Sequence, residues 1–265
     1  MKKRTESAFA THDNESAKQL YRLNEIVADF CNEQLKKSSL STLDSVKINM
    51  GFSDKTIEKF KIGYFSKQHG ELLNLIEKNG FDRGDLATVG LVCESDENSF
   101  YLEDRIIFPV FDVDQNIISF SGRRLSENQH PKWKSLRDTI ICEKSTAVYG
   151  LNFAKDSTTP YFLLVEGILD VVALHQSGYP SALSICTTNF TMNHANQISL
   201  FKQKAVIYMD SDKCGKKAAK RTADILQQNN ISTHIINSSG YLNPQDIARD
   251  DGVKAFKDIV DNISF

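Results

Sequence analysis

Residues 162–179 read FLLVEGILDVVALHQSGY, and residues 205–226 read AVIYMDSDKCGKKAAKRTADIL. In both, a short apolar run ends on an acid, a glycine stands close by, and a helix-like segment follows. Apolar runs of four or five residues bounded by turn signals read as buried strands, and the same texture recurs at 182–185 and 234–236. Helical spacing fills the intervals at 169–177, 191–201 and 215–228, with a further helix expected at 253–260. Strands alternating with helices imply a parallel sheet with crossovers on its faces. The fold class over residues 159–265 is therefore α/β.

Ligands of open parallel sheets sit beyond the carboxyl ends of the strands. There the sequence puts Glu166, then Asp210 and Asp212. Gly167 lets the chain turn without a side chain in the way, and Gly215 is expected to leave room for a substrate or metal. Three carboxylates from two strand ends, converging on one patch, suit Mg2+ (or Mn2+), which prefers one or two carboxylates plus water and phosphate oxygens. Glu166 has an alternative role as a general acid or base. Asp170, one turn into its helix, either meets the helix dipole or supports the ligands from behind.

Upstream the texture changes. Residues 18–37 (KQLYRLNEIVADFCNEQLKK) space their apolar residues as one helix. Ser53 is placed to cap a short helix in DKTIEKF, and residues 70–78 form another. RIIFPVFDVDQNIISFSGRRL predicts two strands, 106–111 and 117–120, around an Asp-Gln-Asn turn. Pro109 predicts an edge strand or a bulge. Residues 1–17 read as a polar tail and 18–158 as an α+β unit whose later part is rich in Arg and Lys.

A net charge of −2 excludes binding of nucleic acid by bulk charge, so any such surface must be local. No apolar run reaches the roughly 20 residues that span a bilayer, and the polar N-terminus lacks a secretory pattern. The expected setting is cytoplasmic, with no membrane partner. Five cysteines without C-x-x-C spacing read as reduced thiols and predict no structural zinc.

The two opening stretches together resemble the Toprim domain shared by bacterial-type primases, topoisomerases and related nucleases. The likeness extends upstream through GFSDKTIEKFKIGYF, DRIIFPVFD, ISFSGRRL, PKWKS and CEKSTAVYGL, whose order is similar to the catalytic core of DnaG-type primases. It covers roughly residues 20 to 260. The resemblance implies a basic subdomain followed by a Toprim domain, with the active site between them. It implies metal ligands at Glu166, Asp210 and Asp212, and cations facing template and nucleotide at Arg105, Arg123, Lys132 and Lys144. The implied activity is magnesium-dependent primer synthesis on single-stranded DNA from ribonucleoside triphosphates, with a replicative helicase or accessory protein supplied in trans.

The pattern is departed from in four places. No zinc-binding module and no helicase-docking domain are read, an economy that suggests a phage, plasmid or other mobile element. Asn243-Pro244-Gln245-Asp246 stands where an Asp-Pro-Asp cluster is usual, with Asp246 the expected substitute ligand. Thr187 stands where a glycine is expected. A Toprim nuclease and a catalytically weak nucleic-acid-binding accessory are the competing readings.

Overall fold

The computed structural model describes residues 14–93, 96–187, 189–236 and 263. The expected helix at 253–260 and Asp246 lie outside the described residues.

The N-terminal half opens with α1 (Asn14–Lys37), α2 (Leu40–Asp44) and a π-helical turn at Ser45–Asn49. Next come α3 (Asp54–Lys59), β1 (Gly63–Phe65), α4 (Gly70–Lys78) and α5 (Arg83–Thr88). Strands β2 (Val92–Cys93), β3 (Asp96–Phe100), β4 (Arg105–Phe111), β5 (Ile117–Arg124) and β6 (Trp133–Ser135) complete this half. α1 begins four residues before the expected 18, inside the stretch read as a tail. The Ser53 hydroxyl caps α3 by accepting the Thr56 N–H, as the sequence implied.

β1, β4, β5 and β6 form an antiparallel sheet in that order. Every residue of β4 is buried, because its two faces serve two cores: Ile106, Phe108 and Val110 enter one, Ile107 and Phe111 the other. Alternation of side chains across the pleat thus yields an unbroken apolar run. Although β4 is internal, Pro109 lies past the end of β1, which pairs only with Arg105 to Ile107. A register shift between Val110 and Phe111 follows directly. The missing proline N–H therefore leaves no ladder position unmet.

The C-terminal half comprises β7 (Val148–Tyr149), α6 (Leu151–Ala154), β8 (Phe162–Val165), α7 (Ile168–Gln176), β9 (Ala182–Ile185), α8 (Met192–Ser199), β10 (Lys204–Tyr208), α9 (Lys213–Gln228) and β11 (Ser232–Ile235). The sheet order is β11-β10-β8-β9-β7, parallel except for β7. β7 joins this sheet from before residue 159 and has no counterpart in the sequence reading.

On one face of this sheet, α6, α8 and α9 contribute Leu151, Ala195, Ile198, Ala219 and Leu226 to a common core. On the other lies α7, buried nearly all round, as a helix enclosed between layers must be. Its core also takes Phe60, Ile62, Ile106 and Phe108 from the N-terminal half. Gln176 fastens the junction: its Oε1 accepts the Ser53 N–H (2.8 Å) and the Thr56 hydroxyl (2.7 Å), and its Nε2 donates to the Gly51 carbonyl (2.7 Å).

Candidate active site

β8 and β10 pair in parallel with Val165 opposite Tyr208, so their carboxyl ends are level. Glu166 leaves the sheet one residue later and Asp210 two residues later. The Asp210 N–H donates to Glu166 Oε2 at 3.3 Å, tying the two strand ends together. Loss of water contact raises the Glu166 pKa; the charges of Asp210 and Asp212 raise it further, and the Asp210 N–H opposes them.

Asp212 is placed differently from the other two. Its carboxylate caps α9 by accepting the Gly215 N–H at 2.7 Å, and among the described residues its other oxygen takes no hydrogen bond. Among the described residues, no three acidic, histidine or cysteine side chains stand close enough to form a ready-made metal cluster. The donor set nevertheless fits a hard divalent ion: exposed carboxylates on adjoining strand ends, close enough that Asp210 and Asp212 raise the proton affinity of Glu166.

Gly215 departs from its expected role. A Cβ there would lie 2.2 Å from the Asp210 carbonyl oxygen and 3.0 Å from its nitrogen. The room it makes is for the backbone of Asp210, and not for a substrate. Gly167 is extended (φ −129°), so no left-handed turn demands it. Its N–H donates to Asp170 Oδ2 at 2.9 Å. Asp170 therefore ties down the first turn of α7 and also borders the cleft. Burial, then the charges of Asp210 and Glu166, push its pKa up to about 7 against the Gly167 N–H and Arg123.

A cavity of about 270 Å³ joins these acids to the N-terminal sheet. Its walls include Glu166, Asp170 and Asp210 on one side and Arg123, Lys132 and Trp133 on the other. Arg123 pairs with Trp133 across β5 and β6, and its guanidinium lies 5.9 Å from the indole centroid. Trp133 went unremarked in the sequence reading. The signal was available: it is the chain's single tryptophan, set between Lys132 and Lys134.

The other two cations depart from expectation. Arg105 is 1% exposed, and its Nη1 donates to the carbonyls of Gly122 (3.4 Å) and Lys132 (3.5 Å). It ties β4 from within to β5 and to the residue before β6, and Gly122 leaves room for its stem, since a Cβ there would lie 3.1 Å from Arg105 Cδ. Lys144 is partly buried outside the cavity lining. Its carbonyl approaches His194 Nε2 at 3.0 Å, which ties its loop to α8. Thr187 closes its own turn by donating its hydroxyl to the Asn189 carbonyl.

Known proteins share this fold. The family described as DNA primase catalytic core, N-terminal domain, matches residues 30–155, and the Toprim-like family matches residues 163–248. The chain belongs to the DnaG-type primase cores. A DNA primase of Clostridium acetobutylicum is 30% identical over 256 residues, 96% of this chain and 42% of that protein. The zinc-binding and RNA polymerase domains of the Aquifex aeolicus primase superpose with a TM-score of 0.85 at 24% identity, over 92% of this chain and 60% of that one. A DnaG primase catalytic domain bound to single-stranded DNA gives 0.81 at 25% identity, over 94% and 80%. This core spans only 34–42% of the length of the curated relatives it matches first. Toprim-type primase cores generally use a divalent metal.

Proposed function

We propose that this core synthesises short RNA primers for DNA replication, on a single-stranded DNA template and from ribonucleoside triphosphates. The carrying observation is the single cleft in which Glu166 and Asp210 oppose Arg123 and Lys132. Phosphoryl transfer needs positioning and charge neutralisation more than covalent help from the protein, and these two walls offer both. The 3′-hydroxyl of one bound nucleotide attacks the α-phosphate of the next, a phosphodiester bond forms, and pyrophosphate leaves. Arg123 and Lys132 hold phosphate oxygens in line, and Trp133 offers a flat face for a base. Bound Mg2+ or Mn2+, held by Glu166, Asp210 and the other oxygen of Asp212, with Asp246 as a further ligand, would supply the remaining charge neutralisation.

The primase bound to single-stranded DNA supports the template assignment. Among the described residues no helix is long and apolar enough to cross a membrane, and a cytoplasmic setting, with a helicase or accessory protein in trans, belongs to the same proposal. Lys144 would meet the template only beyond the cleft. The test is incorporation of labelled ribonucleotides on single-stranded DNA with and without magnesium. Magnesium-dependent short products are expected. Binding without synthesis would favour the accessory reading, which the helix-capping role of Asp212 supports; strand cleavage would favour a nuclease.

A further inference from the structure

Helix α9 leaves the catalytic edge at Asp212 and carries Lys213, Lys216, Lys217, Lys220 and Arg221 in nine residues that contain no acid. All five are exposed, whereas Gly215, Ala219, Thr222, Ala223 and Leu226 are buried on the opposite side. At 100° per residue the cations share the outward face. Among the described residues Arg221 alone of the five has a side-chain hydrogen bond, to the neutral Asn189. None of the four lysines forms an ion pair among the described residues.

This placement works against the helix. Cations near a helix N-terminus oppose the macrodipole, and Lys213–Lys217, Lys216–Lys220 and Lys217–Arg221 are like-charge pairs at i,i+4. The Asp212 carboxylate at the N-cap offsets part of this, and no acid stands among residues 213–221 to offset the rest. A face that strains its own helix in a chain of net charge −2 calls for an external polyanion. Its chemistry narrows the choice. Single strands are held by cations together with aromatic platforms for unstacked bases, and α9 contains no aromatic residue. The cleft, with Trp133, meets that need. A duplex keeps its bases stacked and presents only backbone charge. From Lys213 to Arg221 the face extends about 12 Å, the rise of three to four base pairs.

We infer that the outward face of α9 binds the phosphate backbone of the RNA–DNA duplex as it leaves the cleft. This rests on the primase reading above and adds a product-holding surface to it.

The test titrates the full chain with a short labelled RNA–DNA duplex and with a labelled single strand of equal length, over a range of salt. In the triple variant Lys216→Gln/Lys217→Gln/Lys220→Gln, the duplex log–log salt slope should fall by about 2.7, at roughly 0.9 per contact, with the single-strand slope unchanged. Glutamine matches lysine in helix propensity, so the melting temperature should hold or rise. Arg123→Gln should give the reverse pattern, lowering the single-strand slope. Wild-type duplex slope in the triple variant overturns the inference, even where Arg123→Gln weakens single-strand binding and the primase reading stands. Equal loss on both probes overturns the duplex assignment, and a lowered melting temperature makes the lysines structural. Failure of the wild type to bind single strands or make primers would instead sink the primase reading.

Discussion

On one side of the cleft, Glu166 and Asp210 stand one and two residues beyond level parallel strands, joined by the Asp210 N–H, which donates to the Glu166 carboxylate. On the other, Arg123 reaches from an antiparallel pair and Lys132 from the residue before β6, and Arg123 is steadied by the face of Trp133. The acidic wall is set by backbone geometry, while the basic wall is set by long side chains. Short carboxylates have few rotamers to lose and can be placed by a strand end. Long cations place their charge only as well as their neighbours hold the stem. Damage to the acidic wall should therefore be abrupt, and damage to the basic wall graded.

The largest effect is expected from charge removal at the acidic wall. Asp210→Asn and Glu166→Gln keep the shape of each side chain, so the fold should persist. Primer synthesis should fall about 10²–10³-fold, the several kcal/mol that charge neutralisation supplies to phosphoryl transfer. Single-strand affinity should stay flat or rise, since an anion leaves the cleft. Synthesis retained near the wild-type rate in both variants would remove these residues from the chemistry.

His175, 8% exposed, lies at the far end of the helix that starts at the acids. Its Nε2–H donates to the Ala182 carbonyl at 2.9 Å, and its Nδ1 accepts from the Lys59 ammonium at 3.3 Å. The rings of Phe60 and Phe153 enclose it at 5.4 and 5.9 Å. Burial first, and the Lys59 charge second, hold its pKa down to about 4 from 6.5. Between those values the unfolded chain binds the proton and the folded chain does not. Stability should thus be full above about pH 6.5 and be lost as the pH falls toward 4, by up to about 3 kcal/mol. Asp170, with its raised pKa, contributes in the opposite direction over the same range. The measurement is therefore the difference between wild type and His175→Gln in denaturant midpoint against pH. A difference that does not change between pH 7 and 4 would show that His175 does not titrate in this way.

Gly215→Ala tests the backbone half of the comparison. The new Cβ would meet main-chain atoms of Asp210, beginning at 2.2 Å, and main chain cannot step aside as a side-chain tip can. Destabilisation of about 1–3 kcal/mol is expected, with activity falling by more than the lost folded fraction because Asp210 itself moves. An alanine variant as active and stable as wild type would mean that the strand end does not hold Asp210 in place.

The same contrast decides how much could be read in advance. Strands 162–165 and 182–185 and helix 70–78 match the structure residue for residue, because each is an apolar run or stripe closed by a local signal. Glu166 and Asp210 were legible for the same reason: strand ends are written in the local sequence. The basic wall was not. Arg105 and Arg123 look alike as letters, and only register separates them, since one opens β4 and turns inward while the other pairs with Trp133. Asp212 looked equivalent to Asp210, but capping depends on where α9 starts. β7 went unread because two residues carry no periodicity, and its strand character comes from pairing with β9.

The smallest expected effect separates the charge of Arg123 from its shape. Arg123→Gln removes a phosphate contact, so the single-strand salt slope should fall by about 0.7. Arg123→Lys keeps the charge but loses the planar group that lies over Trp133. Its slope should match wild type, while affinity weakens at least two- to fivefold, since a cation–π contact contributes roughly 0.5–1 kcal/mol even at an exposed site and Arg123 is partly buried. The reason is that lysine reaches the phosphate from a stem free to wander, so the contact survives but costs more ordering. Lowering ionic strength should therefore rescue Arg123→Lys nearly completely and Arg123→Gln only in part. If the lysine variant loses the slope as the glutamine variant does, position and charge are inseparable at this residue, and the basic wall is as strictly placed as the acidic one.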